Sequence, residues 1–148
     1  MSDTDPMFLF ERDAPWQERM DFYVTTAREM SRLTDPQVMV QTYQKRAPAV
    51  LRHLIDLARE TQRILHVRLV KGAYWDSEIK RAQMDGLEGY PVFTRKVYTD
   101  VSYIACARKL LAVPVAIFPQ FATHNALTMA TIYHLAGGNY YPGQYEFQ

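Results

Sequence analysis

Arg68 is the most informative polar residue of the chain. It stands inside the apolar and β-branched run Ile64 to Val70, where a guanidinium is costly to bury unless it is paired or meets an electron-rich ligand. On the residues alone two readings stay open: a ligand-facing cation, or a structural ion-pair partner, for instance to Glu146 on a neighbouring strand. Lys71 and Gly72 close the same run. They permit close backbone approach to an anion, although that pair is common at strand ends. Tyr74 and Trp75 follow and could flank a planar ligand, or simply pack as core aromatics.

Three other groups recur at the ends of strand-like runs: Gln41 with Gln44, Lys45 and Arg46; Gln120 with Thr123, His124 and Asn125; and Glu146 with Gln148. Thr123, His124 and Asn125 sit at a strand-to-helix junction. Free helix N–H groups and the helix dipole can hold a phosphate there, a solvated cap being the plainer alternative. His124 is the best titratable candidate. Thr94, Arg95 and Lys96 open another helix with a hydroxyl and two cations, suited to a phosphate or to an ordinary surface. Each signal is weak alone, but a large, planar, phosphate-bearing cofactor would use them all.

Several chemistries are excluded. No GxGxxG follows a strand, and neither GxxxxGK[ST] nor GxSxG occurs. One cysteine, Cys106, rules out an intrachain disulfide and a thiolate metal cluster, and it reads best as a small buried apolar residue. His53, His66 and His134 have no partner at ligand spacing, so no metal site is expected. Seventeen basic residues against sixteen acidic ones leave a net charge of +1, too little for a nucleic-acid or membrane-surface footprint. The N-terminal residues lack a basic start and a long apolar run, and no stretch approaches a membrane span. A soluble cytoplasmic protein is expected.

The elements that must carry these residues alternate. Trp16, Met20, Val24, Ala27 and Met30 recur at helical spacing. Val38 to Tyr43 alternates as a short strand, with Val38 and Val40 on one face. Pro48 suits the first turn of a helix that runs to about Gln62 with Leu51, Leu54, Ile55 and Ala58 as its stripe. Ile64 to Val70 reads as a buried strand. Asp76 to Met84 is a short helix, and Val97 to Leu111 a longer one that Pro114 stops. Val115 to Phe121 is a strand feeding a helix between Asn125 as N-cap and Gly137 as stop. Tyr145 to Phe147 is one more strand. The order implies an α/β fold with a parallel sheet, in which ligands bind at the carboxyl ends of the strands. A full (β/α)₈ barrel takes about 250 residues, so 148 residues supply about four of its strands.

The run Arg68-Leu69-Val70-Lys71-Gly72-Ala73-Tyr74-Trp75-Asp76 resembles the signature of the proline dehydrogenase family, and most closely the proline dehydrogenase domain of bifunctional proline utilization flavoproteins. QTYQKRAP (Gln41 to Pro48), GYPVFTRKVYTD (Gly89 to Asp100), PQFATHN (Pro119 to Asn125) and NYYPGQYEFQ (Asn139 to Gln148) resemble the same region in the same order. The division expected is residues 1–36 as an N-terminal helical segment of unassigned role and residues 37–148 as a partial TIM-type barrel.

The resemblance implies a barrel that binds FAD and oxidises L-proline to Δ1-pyrroline-5-carboxylate, with electrons passing to membrane quinone and the protein cytoplasmic or peripheral at the inner face of the membrane. It implies that Arg68 lies by the flavin N5, that Gln41 bonds the flavin ring and that Tyr74 lies near the proline pocket. Lys71, Gly72, Ala73, Trp75, Thr94, Arg95, Lys96, Thr123, His124 and Asn125 are implied to line the rest of the FAD site. The family's active-site lysine and aspartate from earlier strands, and the arginine pair of its last helix, have no counterpart in this sequence. A second, non-enzymatic expectation therefore stands beside the first: an inactive half-barrel that binds flavin weakly or not at all and self-associates through open sheet edges.

Overall fold

The computed structural model describes residues 37–148. The expected helix over Trp16 to Met30 lies outside the described residues. Strand β1 (Gln37–Gln41) leads into helix α1 (Ala47–Thr61), strand β2 (Leu65–Val70), helices α2 (Trp75–Met84) and α3 (Lys96–Leu111), strand β3 (Ile117–Phe121), helix α4 (Ala126–Ala136) and strand β4 (Glu146–Phe147). The strands lie in the order β1-β2-β3-β4, every pair parallel. This is an arc of a (β/α) barrel, as the alternation of elements implies.

Local chemistry accounts for the boundaries. Pro48 occupies the first turn of α1, where its missing N–H is no loss. Asn125 caps α4 by accepting a hydrogen bond from the Thr128 N–H at 2.9 Å, and Gly137 stops that helix at φ 85°. Strand β1 ends at Gln41, two residues short of the expected end, because the chain turns there, the Gln44 N–H donating to the Gln41 carbonyl at 3.2 Å.

Alternation then decides which face is covered. Leu65, Val67 and Leu69 of β2 are buried, and so are Ile117 and Phe121 of β3. They pack with Leu51, Leu54, Leu57 and Ala58 of α1 and Tyr103, Cys106, Ala107 and Leu110 of α3. The expected helical stripe of α1 and the buried Cys106 are both found there; burial holds the thiol pKa above its ordinary value. Between these residues His66, Arg68, Phe118, Gln120 and Glu146 take the opposite face, which no helix among the described residues covers. The run Ile64 to Val70, expected to be buried throughout, is therefore buried on one side only. A strand inside a barrel meets helices outside and other strands' side chains inside.

Candidate functional site

The carboxyl ends of the strands form a rim, and most of the residues singled out in the sequence stand on it. Gln41 ends β1, and its Oε1 accepts a hydrogen bond from the Ala73 N–H at 3.1 Å, tying the first strand to the loop after the second. Trp75 starts α2, and its indole N–H donates to the Phe93 carbonyl at 2.8 Å. These two bonds hold the Lys71-to-Trp75 loop against its neighbours on both sides.

Lys71 is the most fully engaged cation of the rim. Its Nζ lies 2.7 Å from Asp100 Oδ1 and donates to Thr128 Oγ1 at 2.9 Å, with the Tyr103 ring 5.7 Å below it. Lys96 holds the other oxygen of Asp100 at 2.6 Å. The Lys71 hydrogen bond, and after it that of Lys96, keeps the Asp100 carboxyl below its ordinary pKa of 3.8. Thr128 is fixed in turn by donating from its hydroxyl to Asn125 Oδ1 at 3.1 Å. Lys71, just past the end of β2, thus joins the start of α3 to the start of α4.

Gly72 has a different reason from the expected approach of an anion. A Cβ at this position would lie 1.8 Å from Cδ1 of Tyr43, so the glycine is the seat of a buried aromatic ring. Burial raises the Tyr43 hydroxyl to about 12, with the negative charge of Glu78 adding to the effect. Tyr43, Lys71, Gly72, Trp75, Phe93 and Thr94 share a cavity of about 380 Å³ with Lys96, Thr99 and Asp100. A cavity of about 530 Å³ at the opposite end of the sheet, beside His66 and Phe118, contains none of the expected site residues.

Arg68 departs from expectation. It is exposed rather than buried, because its side of β2 is the uncovered one. It forms no ion pair with Glu146. That carboxylate instead accepts from Gln120 Nε2 at 2.8 Å and Gln148 Nε2 at 2.7 Å. Among the described residues no hydrogen bond or ion pair joins Arg68 to Gln41, Lys71 or His124. Arg95 and His124 are likewise exposed at the starts of α3 and α4, and Tyr74 is 47% exposed. The structure brings together Gln41 with Ala73, and Lys71 with Lys96 and Asn125 through Asp100 and Thr128.

Asp100 and Thr128 were not singled out in the sequence. Asp100 has one signal there, its place four residues after Lys96 on the same helix face. Thr128 has another, its place three residues after an Asn cap. Neither spacing announces Lys71, which reaches both only once α3 and α4 have packed beside the end of β2.

The chain matches the proline dehydrogenase family over residues 15–148. It is 76% identical over 110 residues to the bifunctional protein PutA of Salmonella typhimurium, an alignment that takes in 74% of this chain and 8% of that protein. PutA of Rhizobium meliloti is 59% identical over 114 residues, 74% of this chain and 9% of that one. Among solved structures, a mutant of Bradyrhizobium japonicum PutA superposes with a TM-score of 0.79 at 53% identity, covering 90% of this chain and 14% of the other. PutA from Bdellovibrio bacteriovorus, inactivated by N-propargylglycine, gives 0.78 at 30% identity over 89% of this chain and 14% of that structure. The chain thus spans less than a tenth of the length of the curated relatives it matches.

Proposed function

The chain belongs to the proline dehydrogenase family, and from that premise we propose that it forms the FAD-holding arc of a barrel that oxidises L-proline to Δ1-pyrroline-5-carboxylate. The observation that carries this reading is Arg68: an unpaired guanidinium on the uncovered sheet face, one row inside the rim where Gln41 and Lys71 stand. A guanidinium with no carboxylate partner of its own on that face suits an electron-rich, flat ligand.

The residues fit such a cofactor at its phosphate end as well. Helix α3 begins with Arg95 at the cap and Lys96 at the first position, with no acidic residue in its first turn and no side-chain cap. Two cations beside the positive end of a helix dipole repel it, and a bound pyrophosphate would relieve that repulsion. Thr94 adds a hydroxyl, and the His124–Asn125 turn adds the start of a second helix.

FAD, when bound, supplies the two-electron acceptor: proline loses a hydride from the ring carbon beside nitrogen and a proton from nitrogen, leaving a C=N bond. The chain's own residues bind and orient. Arg68 would place positive charge against the ring edge. Gln41, with its Oε1 spent on Ala73, keeps its amide donors for the ring. Lys71 adds positive charge at the rim from a fixed position rather than as a free donor, and Tyr74 stands exposed where the proline pocket is expected. Membrane quinone as the electron acceptor belongs to the same reading, and so does a cytoplasmic or peripheral location. No helix among the described residues is long and apolar enough to cross a membrane.

Among the described residues β1 and β4 have no further strand beside them, which favours a second reading, an inactive arc that self-associates. The visible spectrum of the purified chain with added FAD separates the two. A flavin spectrum bleached by L-proline supports oxidation. A colourless protein that fails to take up FAD ends that reading for this chain.

A further inference from the structure

Arg68 and Gln120 are register partners on neighbouring parallel strands, and both stand on the face that no described helix covers. Each has an unmet requirement. The Arg68 guanidinium is exposed and without a hydrogen-bond or ion-pair partner among the described residues. Gln120 is 3% exposed, and its Oε1 is buried with no donor. Its amide is not free to turn. The Nε2 donates to Glu146 Oε1 at 2.8 Å, and reversing the amide would set two acceptor oxygens against each other. Glu146 is itself held by Gln148 Nε2 at 2.7 Å.

We infer that Gln120 is a positioning residue for Arg68: with its amide fixed by Glu146, its Oε1 accepts a hydrogen bond from the Arg68 guanidinium, joining anion and cation through the amide between them. The pair is not direct: β3 lies between the two strands, and the Glu146 carboxylate is taken up by Gln120 and Gln148. The amide suits the gap because it accepts on one side and donates on the other. The carboxylate polarises it and makes its oxygen a better acceptor. A buried carbonyl oxygen gains its donor, and the guanidinium is held at one height over the sheet instead of sweeping through solvent. Its remaining N–H groups then face whatever lies on that surface. Only this last consequence rests on the proposed flavin reading; the bridge itself does not.

The test is the hydrogen exchange of the Arg68 Nε–H, read by nuclear magnetic resonance on the full chain. Bridged to an acceptor, it exchanges about tenfold more slowly than a solvated guanidinium, the factor that corresponds to ~1.4 kcal/mol. The protection is lost in Gln120→Leu and weakened in Glu146→Gln, which retains shape and removes the charge. The double variant Gln120→Glu with Glu146→Gln restores it, because a carboxylate at position 120 accepts from Arg68 on one side and from the amide at position 146 on the other. An Arg68 signal that exchanges like free arginine, or that ignores both single substitutions, overturns the inference. FAD titration of the same samples keeps the two readings apart. Protection that depends on Gln120, without FAD uptake, leaves the bridge and removes the flavin. FAD uptake with unprotected Arg68 does the reverse.

Discussion

Lys71 and Asp100 meet at 2.7 Å, Nζ to Oδ1, and so join the end of β2 to the second turn of α3. The same carboxylate holds Lys96 at 2.6 Å, so one anion is shared between a cation fixed by Thr128 and Tyr103 and another that is 77% exposed. The two lysines are therefore unequal. The first is a part of the scaffold, while the second can leave for a competing anion at little cost.

Acid should weaken this junction before the core fails. The Asp100 pKa is lowered in the folded chain by the Lys71 and Lys96 hydrogen bonds, so the unfolded state binds its proton first as pH falls. The stabilisation is present above the ordinary value of 3.8 and is lost as pH drops through the lower folded value. Asp100→Asn should cost about 1 kcal/mol at neutral pH, the scale of a partly exposed ion pair, and flatten the acid limb. Urea unfolding of both proteins between neutral pH and the acid limb checks this.

Alkali acts through a different pair. Burial raises the hydroxyls of Tyr43, to about 12, and of Tyr103, further still. Above the ordinary value of 10.0 the unfolded chain gives up these protons while the folded chain keeps them. Stability should therefore decline from about pH 10 upward. Tyrosinate absorbance at these positions should appear only with unfolding; early ionisation without loss of structure would contradict their burial.

Gly72→Ala should be among the most damaging small substitutions available. The added carbon would stand 1.8 Å from Cδ1 of Tyr43, inside the space of a buried ring. Overpacking of this kind costs about 1–3 kcal/mol. A lowered thermal midpoint, with changed Tyr43 fluorescence or ring resonances, is the expected result.

Asn125→Ala removes the acceptor for both the Thr128 N–H and its hydroxyl. Loss of the cap alone should cost about 1 kcal/mol. Because Thr128 also receives Lys71, the double variant with Lys71→Met should be less destabilised than the sum of the two single variants. Additive unfolding midpoints would show that the contacts at the start of α4 are independent of β2.

Arg68→Met leaves the core untouched, since the side chain is exposed on the uncovered face. Far-ultraviolet dichroism should be unchanged. On the proposed function FAD affinity should fall about tenfold or more, ~1.4 kcal/mol of binding energy. Titration by flavin fluorescence measures it, and equal affinity would remove Arg68 from the cofactor site.

The fold was legible where a single element explains its own residues. Pro48, Asn125 and Gly137 mark boundaries because capping depends on local backbone geometry, and the stripe from Leu51 to Ala58 depends only on helical period. The exposure of Arg68 was legible in principle, in the alternation of Leu65, Val67 and Leu69 with His66, Arg68 and Val70. The apolar character of the whole run masked it. What Lys71, Gly72 and Glu146 contact could not be read in advance, because Asp100, Tyr43 and Gln120 reach them from 29, 29 and 26 positions away. Such pairs exist only after the strands have stacked.

From the helix side the Tyr103 hydroxyl shares its proton between the carbonyls of Leu69 at 3.2 Å and Ala122 at 3.3 Å, so a single phenol clasps the carboxyl ends of β2 and β3 from behind. The gap between those strand ends is gauged by a part that no ligand on the concave side can touch. Loop sequences above the sheet can drift in evolution, or be redesigned, without altering the spacing of the stumps on which they are mounted.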